Sequence, residues 1–448
     1  MKYTTTYKLE DFILKTQYNS LPDSVKERIK GCFIDLMGAL IVGSRSEQFE
    51  TGLRLAETVY GKGNIAVIGS NKRFSFMGAG AAMGHSSNAY DIDDGHNLIR
   101  AHPGTSFIGA LIAAGYEKDI SRNDFFSALL VAYETTIRMG AAIMDYYKYT
   151  HSSGTFGAVG VAAGVGRIYG FDRVKLNHAL SVAEFNAPLV PGIRSVEYPS
   201  MNKDGVPFGV MIGMLAVMDV ICGFEGNKNL LEAEDYCHYL DDLGEKYEVM
   251  QLYFKPYTCC RWAHPAIDAC LSLVKDYNLK PEDIKKLTIE TFHRATLLSK
   301  IVPKTADEAQ YNIAYPVASA IINGDFGYGQ ICPEALCDKR VIDMMERLCF
   351  VTDPQLDEKF PAKRFCRAKI QTVDGRSLCS DLHQPRGEAE ENIGLDWLCD
   401  KFSRITSPIY TKEGQDTLIS LIVSEKDVKL REIIDTANLK KFWKKDLV

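Results

Sequence analysis

From residue 24 to residue 222 the sequence is dominated by apolar runs at helical spacing in which Gly and Ala are unusually frequent. Residues 24–42 put Val25, Ile29, Cys32, Phe33, Leu36, Met37 and Leu40 on one face, with Pro22 just before the run and Gly43 closing it. That is the periodicity and punctuation of an amphipathic helix. The same reading holds for 105–117, 124–142, 155–169, 173–185 and 208–222, and Phe76 to Met83 reads as a tightly packed helix of Gly, Ala and Met. Side chains this small let backbones approach one another closely. This part of the chain is therefore predicted to be helical, with little strand signal.

The pattern changes after about residue 264. Pro265 to Tyr277 still reads as a helix, but Leu287-Thr288-Ile289-Glu290-Thr291-Phe292 alternates as a strand does. Helices are predicted at 309–323 and from Arg340 to Leu348. Arg364 to Val373 is then joined through Asp374-Gly375 to Arg376–Leu382, which predicts a hairpin, because Asp-Gly suits the type I′ turn. Beyond Pro385-Arg386-Gly387 the chain turns helical again, with Leu395, Leu398, Cys399 and Phe402 on one face. The predicted fold class is mainly α: a large all-helical domain over 1–264, completed by 386–448, plus a smaller α+β domain over 265–385. A length of 448 residues suits two cores, and the cleft between them is the default ligand site.

Composition narrows the function. A formal charge of −6 gives no support for nucleic-acid binding, which needs a basic face. No apolar run reaches the ~18 residues that span a bilayer, and Met1-Lys2-Tyr3-Thr4-Thr5-Thr6 lacks the apolar core of a signal peptide. A cytoplasmic protein without membrane attachment is expected. The cysteines contain no Cys-x-x-Cys pair, so neither a zinc ribbon nor a thioredoxin-like site is indicated.

The chemistry is concentrated in Tyr90-Asp91-Ile92-Asp93-Asp94-Gly95-His96, followed after five residues by His102-Pro103-Gly104. Carboxylates that follow a helix C-terminus face the negative end of its dipole, so a cluster placed there points to function. Asp91, Asp93, Asp94, His96 and His102 offer metal ligands, but their spacing matches neither His-Glu-x-x-His nor an EF-hand loop. The competing reading makes His102 a proton donor or acceptor oriented by an Asp; a third, without chemistry, puts His96 at the surface and has one or two of the aspartates cap neighbouring turns.

Three further segments carry candidates. His151 precedes Ser152-Ser153-Gly154-Thr155 and a Gly/Ala helix, whose amino terminus can hold an anion. Lys203 lies in Ser200-Met201-Asn202-Lys203-Asp204-Gly205, ahead of another helix. Lys255 and Arg261 sit among Tyr, Cys, Trp and His in Lys255-Pro256-Tyr257-Thr258-Cys259-Cys260-Arg261-Trp262-Ala263-His264-Pro265. That setting is apolar for two cations, and a guanidinium matches a carboxylate in bidentate fashion. Walker, Rossmann, Gly-x-Ser-x-Gly and pyridoxal-phosphate signatures are missing. Proton transfer on a substrate that brings its own activating groups, such as a small polycarboxylate, fits that absence.

Together these motifs resemble the MmgE/PrpD family, which includes 2-methylcitrate dehydratase, cis-aconitate decarboxylase and iminodisuccinate epimerase. The resemblance extends through Ala309-Gln310-Tyr311 to Tyr315, Pro385-Arg386-Gly387 and Lys401-Phe402. It implies a helical domain with a smaller α+β lid domain, no metal and no cofactor, a homodimer, and a site in the interdomain cleft. Asp91, His102, His151, Lys203 and Tyr315 match the family's site positions, with Lys203, Lys255 and Arg261 as substrate-binding cations.

The implied activity is that of a lyase, a dehydratase or decarboxylase of a small di- or tricarboxylic acid; an isomerase using the same two histidines is the alternative. In that scheme His102, oriented by Asp91, moves the proton, and His151 acts on the leaving group or the opposite face. Tyr315 joins when the lid closes. Two departures bear on the substrate. Decarboxylase-like members tend to have Thr where this chain has Gly95, and tend to place a His three residues after the lysine matching Lys203, where this chain reads Asp204-Gly205-Val206.

Overall fold

The computed structural model describes residues 2–4, 7–149 and 152–444, and these are mainly α-helical. The helices of the first half are α1 (Asp23–Gly43), α2 (Phe76–Ser87), α3 (Ile108–Lys118), α4 (Arg122–Tyr147), α5 (Ser153–Ile168), α6 (Arg173–Asn186) and α7 (Val206–Ile221). Each starts and stops within a few residues of the periodic run that predicts it. Ser75 and Ser121 cap α2 and α4 by accepting from the Gly78 and Asp124 amides, which satisfies donors that have no partner within the helix.

Glycine sets how closely these helices pack. A Cβ on Gly43 would lie 1.8 Å from the carbonyl oxygen of Ser86, and one on Gly209 would lie 2.3 Å from that of Gly154. The end of α1 therefore meets the end of α2, and α7 crosses α5, backbone against backbone. None of the helices among the described residues is long and apolar enough to cross a membrane.

Strand pairing enters where the sequence showed none. Asp94–His96 forms strand β1, antiparallel to β2 (Leu252–Phe254), with Gly95 opposite Tyr253. Three residues are too few for a period-two signal, and all three are buried on both strands. The pairing matters because it sets the acidic run beside the segment that begins at Lys255.

In the second half α8 (His264–Asp276) packs on a four-stranded sheet of β3 (Ile284–Thr291), β4 (Leu348–Thr352), β5 (Cys366–Thr372) and β6 (Ser377–Cys379), ordered β4-β3-β5-β6. Strand β4 runs parallel to β3, and the other pairs are antiparallel. Three local expectations are corrected. The run at 309–323 is two helices, Ala306–Gln310 and α9 (Ala314–Asn323), because the Asn312 side chain accepts from the Tyr315 amide and starts a new helix. The helix predicted through Leu348 stops at Met345, and Leu348 opens β4. The hairpin turn is not type I′: Gly375 donates to the Thr372 carbonyl and carries the turn's positive φ, +91°, as in a three-residue loop ending in a left-handed glycine.

The tail returns to the first helix. Helix α10 (Leu395–Thr406) lays Leu398 against Gly31, and Phe402 and Ile405 against Gly38, of α1. At the centre of that contact Lys401 pairs with Asp35 at 2.6 Å, both side chains almost wholly buried, and also donates to the Ile92 carbonyl at 2.6 Å. Removing one partner of a buried ion pair leaves an uncompensated charge, a loss of about 3–5 kcal/mol. Lys401→Met is accordingly expected to lower unfolding free energy by that amount in urea titrations. A loss below about 1 kcal/mol would show that the pair does not anchor the tail.

Candidate active site

Helix α2 ends at Ser87, and the chain turns through Asn88 to Asp91, whose φ of +52° is left-handed. A non-glycine residue held there costs about 1–3 kcal/mol, and the surrounding structure must impose it. Lys203 contributes from beneath: its buried ammonium donates to the carbonyls of Asn88 (2.9 Å) and Ala89 and to Gln310 Oε1 (2.5 Å). Lys255 does the same for Asp91, meeting its carbonyl at 3.0 Å and its carboxylate at 2.6 Å.

His102 is clamped on one side and open on the other. Its Nδ1 lies 2.9 Å from the Asp94 carbonyl and 3.0 Å from Asp93 Oδ2. Its Nε2 faces Asp91 Oδ1 and Asp204 Oδ2, each at 3.6 Å, beyond a good hydrogen bond. Asp93 is itself fixed by Asn88 Nδ2 (2.9 Å) and Thr105 Oγ1 (3.0 Å). Asp94 accepts from the Gly104 amide (3.0 Å) and the Tyr133 hydroxyl. These two aspartates hold the imidazole and the loop that carries it.

Electrostatics then decide the protonation state. Burial and the nearby Lys255 push the His102 pKa down, but the Asp93 carboxylate on Nδ1 and the charge of Asp91 outweigh them and raise it to about 10. Asp94 is pushed up to about 7 by burial, opposed by its Tyr133 hydrogen bond. Burial likewise raises Asp204, while His102 opposes the shift. At neutral pH the resting imidazole is a cation whose Nε2 proton points at weakly held space.

That space is a cavity of about 470 Å³, within the range of small-molecule sites. Asp91, His102, Lys255 and Arg261 all line it. Lys203 does not: its ammonium is taken up by backbone carbonyls behind the wall, so it braces the site and does not face a ligand. Tyr315 is also elsewhere, with its hydroxyl directed at the carbonyls of Gln330 and Ala335; Tyr311, four residues earlier in the same motif, lines the cavity instead. His151 lies outside the described residues. His96, expected at the surface, is buried in the cavity wall with Nε2 3.4 Å from Glu248 Oε2.

Sequence reasoning missed Asp204, Tyr253 and Arg364, which also line the cavity. Asp204 had a signal, since it adjoins Lys203 in a motif that stood out in the sequence. Arg364 had none, because an arginine at the foot of a strand reads as solvated edge. One ligand atom each from Asp91, His102 and Asp204 lies within 4.8 Å of the others, the nearest approach to a metal cluster among the described residues. The Asp91 oxygen nearest Lys255 already has an ammonium 2.6 Å away, so a cation there would have to displace it.

Residues 7–241 match the MmgE/PrpD N-terminal domain, and residues 257–426 match the MmgE/PrpD C-terminal domain. The chain belongs to the MmgE/PrpD family. It is similar to the cis-aconitate decarboxylase-like protein oryM of Aspergillus oryzae, 23% identical over 463 residues that cover 94% of each chain. The cavity of this MmgE/PrpD protein is thus built by segments of both family domains, Asp91 and His102 from the first and Arg261, Tyr311 and Arg364 from the second.

The protonation state is measurable. A folded-state pKa near 10, against about 6.5 for a free imidazole, means stabilisation that is complete below about pH 6.5 and lost as pH rises through about 10. In histidine-labelled protein followed by NMR, one imidazole is expected to stay charged beyond pH 8, and Asp93→Asn should lower its midpoint. A wild-type His102 midpoint near 6.5 would contradict the assignment.

Proposed function

We propose that this protein is a cofactor-independent lyase, a dehydratase or decarboxylase that acts on a small di- or tricarboxylic acid by proton transfer next to a carboxylate. The observation that carries this reading is the His102 imidazolium, anchored at Nδ1 and open at Nε2, beside Lys255 in a cavity with further cations on its wall. Such a group is a proton donor at rest. Lys255 would offset the charge that builds on the substrate as the carbanion forms, and one well-placed donor of this kind contributes roughly 10²–10³ in rate.

In the decarboxylase branch the bond to the departing carboxylate breaks, carbon dioxide leaves, and the electron pair stays on carbon until the Nε2 proton joins it. In the dehydratase branch a base removes a proton from the carbon beside the retained carboxylate, the C–O bond breaks, and His102 protonates the departing hydroxide to give water. The base is the role proposed for His151. Asp93 and the Asp94 carbonyl would hold the ring at Nδ1, and the charge of Asp91 would help keep it protonated. Lys203 serves as a positioning residue, and the smaller domain is proposed to close as a lid that excludes water. The family relationship and the likeness to a decarboxylase-like protein support the reaction class.

The protein is proposed to be a cytoplasmic homodimer, and α7 offers a face for the contact: Phe208, Leu215 and Ile221 are 54%, 47% and 46% exposed. Sedimentation equilibrium is expected to return twice the 50.0 kDa chain mass.

The reaction is tested by incubating the protein with citrate, methylcitrate, aconitate and aminodicarboxylates in deuterated water and following products by NMR. Alkene formation or carbon dioxide release is expected, with kcat reduced ~10²–10⁴-fold in His102→Gln. Deuterium entering unchanged substrate or its epimer, with no leaving group, would replace the lyase by an isomerase.

A further inference from the structure

Among the described residues two carboxylates line the cavity, and they are not equally satisfied. Asp91 takes the Lys255 ammonium at 2.6 Å. Asp204 has no such partner: no donor among the described residues comes within hydrogen-bond distance of its carboxylate, and His102 Nε2 stands 3.6 Å from Oδ2. The group is also within reach of a ligand, since its side chain is 16% exposed on the cavity wall. A desolvated carboxylate left without a donor is costly, and such groups in folded proteins call for a reason.

The backbone that carries Asp204 is fixed on all sides. Lys203 and Gly205 flank it with left-handed φ values of +39° and +66°, and the strained Lys203 is a conformation the surroundings must impose. Ser195 Oγ donates to the Lys203 carbonyl at 2.6 Å, and the Gly154 amide, in the first turn of α5, donates to the Asp204 carbonyl at 2.9 Å. The Lys203 ammonium is tied down in turn by the Asn88 carbonyl and Gln310. Everything around the carboxylate is held, and the carboxylate alone is left to meet what enters the cavity.

His102 limits what that can be. Its Nε2 carries a proton, so a group lodged between the ring and Asp204 must accept from one and donate to the other. A hydroxyl does both, and its oxygen at about 2.8 Å from Nε2 and from Oδ2 bridges the gap between them. A carboxylate has no hydrogen to donate, and an ammonium has no lone pair to accept with.

We propose that Asp204 selects and orients a hydroxyl of the substrate, holding its oxygen against His102 Nε2. The inference rests on the lyase reading for the fate of that hydroxyl. In the dehydratase branch the C–O bond breaks with its electron pair on oxygen, and the Nε2 proton joins it. The hydrogen already on that oxygen stays directed at Asp204, and water leaves. Burial raises the Asp204 pKa while His102 opposes the shift, and a more basic carboxylate is the better acceptor for a hydroxyl.

Citrate and tricarballylate differ by one hydroxyl on the central carbon, so the ratio of their affinities isolates the contact from the general effect of removing a negative charge. Ligand-observed NMR on the whole protein at ice temperature distinguishes each acid from any product, and binding is read apart from turnover. Wild type is expected to bind citrate at least tenfold more tightly than tricarballylate, because a site built to hydrogen-bond a hydroxyl rejects the analogue that lacks it. Asp204→Ala should bring the ratio to about one, and Asp204→Asn, whose amide oxygen is a weaker acceptor, should leave an intermediate ratio. Variants are compared at matched thermal stability, and Asp204→Asn carries the test if Asp204→Ala does not fold. Equal affinities in wild type, a ratio unchanged in the variants, or no saturable binding of either acid would overturn the role. If the hydroxyl preference depends on Asp204 but no acid is turned over, the lyase reading fails and the role stands. Turnover that the Asp204 variants leave unchanged, with equal affinities for the two acids, would do the reverse.

Discussion

Three buried ammonium groups hold the backbone of residues 88–92, and the site depends on that grip. Lys203 takes the carbonyls of Asn88 and Ala89, Lys255 that of Asp91, and Lys401 that of Ile92. These carbonyls follow the C-terminus of α2, the negative end of the helix dipole, where the aspartates that come next add further negative charge. Cations at that end are what the local field demands. Because the lysines come from three distant parts of the sequence, the shape of the acidic run depends on contacts from the tail, the 252–265 segment and the loop before α7. Lys401 shows the cost of that device: its charge is out of water, and Asp35 compensates it from the heart of α1.

This also explains which parts of the site were legible in the sequence. Helix positions were readable because Gly/Ala-rich faces repeat over many residues, and the acidic run was readable because titratable groups cluster there. Arg261 and Lys255 stood out as charges among aromatic residues, and both face the cavity. Lys203 matched a motif, but a motif match does not say whether an ammonium reaches toward a ligand or toward a carbonyl behind it. Tyr315 and Tyr311 occupy one motif four residues apart, and only the helix break at Asn312 decides which of them reaches the cavity. Strands β1 and β4 were invisible for a different reason. Their pairing is decided by partners far along the chain, and their own residues carry no alternation long enough to show it.

The cavity has two electrical characters, and the protein keeps them apart with few residues. Around His102, carboxylates outnumber cations and hold a proton on the ring. Around Arg261 the balance reverses, and burial pushes that guanidinium down to about 10. Strand β1 is where the two ends join. Asp94 at its start bolts the His102 loop through Gly104, His96 at its end reaches Glu248, and Gly95 between them admits Tyr253. Any side chain at residue 95 would push on β2, moving the platform beneath Arg261 and the residue before Lys255 together. The arginine wall and the histidine clamp are therefore coupled through one glycine.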